Sequence, residues 1–174
     1  MYSNMKQQIL FQESQRFSQW WIWTIMIGAT VLFIVRMASP DSGGLGHGST
    51  VTIIISSVAL VSAIVILGFS KLETEIRTDG IYVRFIPFHR TVKKYAWSDL
   101  EMVEVRKYSP IAEYGGWGLR GVGKNRAFNI SGSTGIQLVT KKGAKLLIGT
   151  QRPEDAQAVI QNLFNKSSNA TTTP

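Results

Sequence analysis

Residues Trp20–Ala38 read WWIWTIMIGATVLFIVRMA, and Val51–Phe69 read VTIIISSVALVSAIVILGF. The first run carries one charge, Arg36, and the second carries none. An α-helix rises about 1.5 Å per residue, so a run of this length extends about 28 Å. That is close to the roughly 30 Å hydrocarbon thickness of a bilayer. The two runs therefore predict a transmembrane α-hairpin over residues 19–69, with spans at 20–38 and 51–69 and a connecting loop at 39–50.

Two alternatives fit less well. A secretory signal has a short apolar region, about 7–15 residues, followed by a cleavage site of small residues. Here a polar N-terminal segment comes first and a second apolar run follows. A buried core helix is seldom apolar on every face over this length in so small a chain. Lys and Arg near the ends of the runs set the expected orientation. The loop SPDSGGLGHGST (39–50) has neither, whereas Lys6 and Arg16 precede the hairpin and Lys71, Arg77, Arg84 and Arg90 follow it. Both termini, including the segment 1–18, are expected in the cytoplasm, as in a multi-pass cell-membrane protein. Arg36 argues the other way but can snorkel toward the headgroups. Trp20, Trp21 and Trp23 suit an interfacial aromatic belt.

The chain has 174 residues and a net charge of +8. From Lys71 onward there are 16 Lys and Arg against 9 Asp and Glu, a net +7. A basic domain beside an anionic leaflet is attracted to lipid headgroups; the same charge also serves the positive-inside bias and solubility. The absence of cysteine excludes disulfides, thiolate metal sites and Cys nucleophiles.

Beyond the hairpin the hydropathy period becomes 2. Leu72–Thr78 and Ile81–Pro87 flank the turn signal Asp79-Gly80, and Thr91–Trp97 and Leu100–Tyr108 follow. Gly116–Arg120 and Ala127–Ile130 are short candidates, and Gly135–Thr140 and Ala144–Gly149 flank Lys142-Gly143. Arg152–Asn165 then changes to helical spacing, with Ala156, Val159, Ile160, Leu163 and Phe164 on one face. Pro153 suits the first helical position, and Glu154 and Asp155 complement the helix dipole. The domain is expected over 70–166 and a disordered tail over 167–174.

WSDLEMVEV (Trp97–Val105), YGGWGLR (Tyr114–Arg120) and GIQLVTKKGAKLLIGTQRPEDAQAVI (Gly135–Ile160) resemble the bacterial pleckstrin-homology-like membrane proteins of unknown function. The resemblance implies two membrane spans plus one mainly β domain, a bent antiparallel barrel of about seven strands closed by a C-terminal helix. It implies no defined biochemical activity.

Motifs that look like chemistry do not hold. Gly116–Gly121 has the spacing G-x-G-x-x-G, but a turn-like stretch follows where a dinucleotide fold needs a helix. Gly118–Lys124 (GLRGVGK) matches the start of a P-loop, yet Asn125 stands where Mg²⁺ needs Ser or Thr. His47 and His89 are expected on opposite sides of the bilayer and cannot share a metal. The sequons at Asn129, Asn165 and Asn169 read as chance occurrences. No catalytic, cofactor or metal residue is assigned. Gly28 and Ala29 can pack on Ser56, Ala59 and Ala63 or on a partner's helix.

The densest basic positions are Lys93, Lys94, Arg106, Lys107, Arg120, Lys124 and Arg126. Strand parity puts Lys93 and Lys94 on opposite faces, which argues for diffuse charge and against one convergent pocket. The function expected from the sequence is a non-enzymatic binding or scaffolding module at the cytoplasmic face of the membrane, held against the lipid bilayer and acting on a protein partner. The alternative is a surface for anionic phospholipid. No nucleic-acid partner is expected.

Overall fold

The structure, a computed structural model, describes residues 8–17, 20–38 and 50–170, with side chains described over 8–17, 20–35 and 54–163. The chain divides into two units, one formed by 17–70 and the other by the segment before it and everything after it.

The first unit holds helix α1 (Trp20–Ala38) and helix α2 (Thr50–Phe69). Apolar residues point outward along both: Ile27 and Ile55 are each 63% exposed. Among the described residues no helix is long and apolar enough to cross a membrane. The expected transmembrane hairpin and multi-pass placement, with both termini cytoplasmic, are corrected accordingly. The loop 39–49, with His47, lies outside the described residues.

The second unit contains two sheets. Strands β1 (Ile9–Arg16), β2 (Lys71–Arg77), β3 (Gly80–Ile86) and β4 (Lys93–Ala96) pair in sequence order, all antiparallel. One turn of 3-10 helix, Trp97–Asp99, then leads to the second sheet. Its strands are β5 (Leu100–Lys107), β6 (Gly118–Val122), β7 (Asn125–Asn129), β8 (Thr134–Thr140) and β9 (Lys145–Gly149), in the order β5-β8-β9-β7-β6. Short helix α3 (Pro110–Tyr114) lies between β5 and β6, and α4 (Pro153–Ala170) ends the unit.

The bent antiparallel barrel closed by a helix is therefore also corrected. The four- and five-stranded sheets do not join into a closed barrel, and β7 runs parallel to β9. The reason is that β9 inserts between β8 and β7, a non-local pairing, instead of extending a meander. The strands read from alternation are all present, with their ends shifted by a residue or two.

Inward rows explain the core. Leu72 pairs with Phe85 and Ile76 with Ile81 across β2 and β3, and all four side chains are fully buried. Ile136, Leu138, Leu147 and Ile148 are buried in the second sheet, as are Ala156 and Ile160 on α4. Leu163 is half-buried, and the Phe164 side chain lies outside the described residues.

Strand β1 was expected to lie outside the domain, yet it pairs with β2 along its length. Its inward residues are Phe11, Glu13 and Gln15, two of them polar. The Glu13 carboxylate accepts from Thr150 Oγ1 at 2.6 Å and from the Gln151 amide at 2.8 Å. Gln15 Nε2 donates to the Gly149 carbonyl at 2.7 Å. These bonds join β1 to the β9–α4 junction and satisfy polar groups whose burial would otherwise be costly.

Candidate cationic cleft

The seven basic positions fall into three different environments. Lys94 faces away from the second sheet: its ammonium lies 2.6 Å from Asp79 Oδ2 and stacks over Tyr82. Burial pushes the Asp79 carboxyl up, but the bonds from Lys94 and Tyr82 outweigh it and hold the group below its usual range.

Arg106 is neutralised as well. Its Nη2 lies 2.8 Å from Glu113 Oε2 and donates to Gln137 Oε1 at 3.0 Å. Helix α3 presents that glutamate. Ser109 caps the helix start and accepts from the Ala112 amide, Glu113 Oε1 accepts from the Ser109 amide, and Gly115 ends the helix at φ 71°. The Arg106–Glu113 pair lines a groove of about 370 Å³ with Glu104, Tyr114, Asn125 and Lys145. Its charges are mixed, and Arg106 is committed within it. Lys107 and Lys124 are exposed, the latter in the turn between β6 and β7.

Arg120 is exposed too, and β6 pairs it with Ala127, on the sheet face opposite Arg126 and Phe128. Lys93 and Arg126 are different. A second cleft, of about 200 Å³, is lined by His89, Leu119, Arg120, Arg126, Phe128 and the glycine-bearing backbone of β6. Phe128 is buried, and two cationic or polar groups flank its ring. Lys93 Nζ lies 5.6 Å from the ring centroid, and the His89 ring lies 5.0 Å from it, centre to centre. Burial lowers the Lys93 pKa, and the Arg126 charge lowers it further. Burial likewise lowers the His89 pKa, with Lys93 and Arg126 adding to the effect. The Phe85 amide donates to His89 Nδ1 at 3.4 Å, so the neutral ring carries its proton on Nε2.

No carboxylate among the described residues forms an ion pair with Lys93, Arg120 or Arg126. Each arginine is fixed by a backbone carbonyl instead. Arg120 Nε donates to Trp117 O at 2.9 Å, and Arg126 Nε donates to Gly123 O at 3.1 Å. That use of Nε orients the guanidinium plane and leaves the Nη groups to other acceptors. The close pairing of β6 with β7 requires glycine at 121: φ is +84°, and a Cβ there would strike the Asn125 carbonyl.

No family model, curated protein or solved structure matches this chain. The geometry of the site therefore stands without a relative to interpret it.

Lys93 and Lys94 meet different surroundings, Lys93 beside Phe128 and Lys94 beside Asp79. His89 and Arg126 reach Lys93's side from the β3–β4 loop and β7. The sequence offers no signal for His89 beyond a pairing with His47 at a metal or in a catalytic dyad. The P-loop-like GLRGVGK forms β6 and the turn into β7, with no helix after it. Asn129 of the first sequon is fully buried, and its Nδ2 donates to Tyr108 Oη at 2.9 Å. No group of three His, Asp or Glu among the described residues is placed to hold a metal.

Proposed function

We propose that this chain is a non-catalytic binding module whose partner presents negative charge to the cleft of Lys93 and Arg126. The observation that carries this reading is the meeting of two like charges, with His89, beside a buried ring with no acid to offset them. Lys93 is partly desolvated and repelled by Arg126, and an external anion removes that cost on binding. The remaining basic residues support the assignment by contrast, because Lys94 and Arg106 already have carboxylate partners.

The experiment is chromatography of the full chain on an immobilised sulfated polysaccharide, used as a generic polyanion. Retention should fall as salt rises, because exposed charges are screened beyond about 8 Å at physiological ionic strength. The double change Lys93→Ala with Arg126→Ala should elute earlier than the parent, whereas Lys94→Ala with Arg106→Ala should elute nearly with it. Equal shifts for the two pairs would show that only total charge matters, and the cleft would lose its role.

A further inference from the structure

Resting on that reading, we propose that the cleft is built for a phosphomonoester group, held by Lys93, Arg126 and the Nε2–H of His89. The argument starts from donor number and origin. Three side chains on separate segments line or flank one cleft of about 200 Å³. Lys93 comes from β4, His89 from the loop before it and Arg126 from β7. A carboxylate confines its acceptor sites to two oxygens in one plane and carries a single charge. A phosphomonoester offers three terminal oxygens spread in space and about −1.5 to −2 charge at pH 7.

The charge balance points the same way. Two positive charges suit a dianion better than a monoanion, and Arg is the residue whose planar fork suits phosphate. The role of His89 is to donate without adding a third charge, since its neutral ring already has Nδ1 accepting from Phe85. Phe128 closes the floor. Its apolar ring excludes water on that side and strengthens each charge-assisted bond.

The other clefts carry less. The groove beside Arg106 is larger, but its cation is already paired with Glu113.

The test titrates the full chain by calorimetry, at constant ionic strength, with inorganic phosphate, phenyl phosphate and acetate. Co-sedimentation is measured in parallel on phosphatidylcholine vesicles carrying phosphatidic acid, a phosphomonoester, or an equal charge of phosphatidylserine, a diester. Saturable one-to-one binding of phosphate or phenyl phosphate, with acetate much weaker, is the expected result. Lys93→Ala and Arg126→Gln should each weaken it about tenfold or more, as loss of a charge-assisted hydrogen bond implies. Thermal melting checks that each variant folds. Arg126 is exposed, so Arg126→Gln decides the matter if Lys93→Ala unfolds.

Binding of phosphatidic acid over phosphatidylserine without binding of phenyl phosphate would support the phosphomonoester and place it on a lipid. Binding of phenyl phosphate alone would support it and place it on a soluble ester. Equal binding of phosphate and acetate would overturn the inference. So would the absence of any phosphate binding while polyanion retention persists, and in that case the broader binding reading survives. Loss of both signals would end both.

Discussion

Isoleucine and valine meet opposite surroundings in the two units of this chain. In the β unit Ile76, Ile81 and Val83 are all 0% exposed, whereas in the helices Ile27 is 63% and Val58 59% exposed. Strand alternation sends every second residue inward, so the β unit assembles its own core from half of each strand. The two helices are apolar on all sides, and a helix can press only part of its circumference against one neighbour. The β unit is thus self-sufficient in burial and the helical unit is not. Stability should follow that division.

The strongest way to break the comparison is to remove a β-unit core side chain. Phe85 is 1% exposed, and Phe85→Ala should cost about 3–5 kcal/mol. A denaturant titration of the full chain would show the lowered midpoint. A cost below about 1 kcal/mol would mean that the sheets do not share one packed core.

A smaller effect is expected at Glu13, the one charged residue buried among the described residues of the β unit. Glu13→Ala leaves the Thr150 hydroxyl and the Gln151 amide without their acceptor, for an expected loss of about 1.5–3 kcal/mol. Amide exchange should then accelerate first in β1 and at the start of α4. Acceleration confined to β1 would show that the junction does not depend on this carboxylate.

The cleft predicts a weaker dependence on pH. Burial and the neighbouring Lys93 and Arg126 depress the His89 pKa in the folded chain. The unfolded chain therefore binds the proton more readily, and stability should be full above about pH 6.5 and decline as pH falls below it. His89→Gln should flatten this part of a melting-point profile. A slope unchanged by that substitution would mean that His89 does not feel the two cations. The smallest effect belongs to the helices. Ile55 is 63% exposed, and Ile55→Ala should change stability by no more than about 0.5 kcal/mol in the same denaturant titration.

The comparison also explains what the sequence made legible. Strand β3 alternates clearly because Ile81, Val83 and Phe85 all point inward, and α4 shows its buried stripe at Ala156 and Ile160. Strand β1 was hidden because Glu13 and Gln15 occupy inward positions, and their partners lie more than 130 residues away. No local pattern reports a satisfied buried glutamate. The parallel β7–β9 pairing was hidden for a related reason, since register between distant strands leaves no periodic mark. The apolar length of the two helical runs suggested membrane spans, but among the described residues no helix is long and apolar enough to cross a membrane.

The candidate site was legible in part. The seven basic positions announced a basic surface, and parity separated Lys93 from Lys94. Salt bridges then divided the cations further, by removing Lys94 and Arg106 from the available charge. Those pairings depend on Asp79 and Glu113, which come near only after the β2–β3 turn and α3 have formed. Electrostatics of this kind follows from the fold rather than from composition.

The adjacent lysines provide the most direct test, because they differ in surroundings and in nothing else chemical. Phosphate affinity of the full chain is measured for the parent, Lys93→Ala and Lys94→Ala at one ionic strength. Each variant loses one positive charge. The cleft account predicts about a tenfold or greater loss for Lys93→Ala and less than about a twofold change for Lys94→Ala, whose ammonium is held by Asp79. Equal losses would contradict it and return the binding surface to diffuse charge.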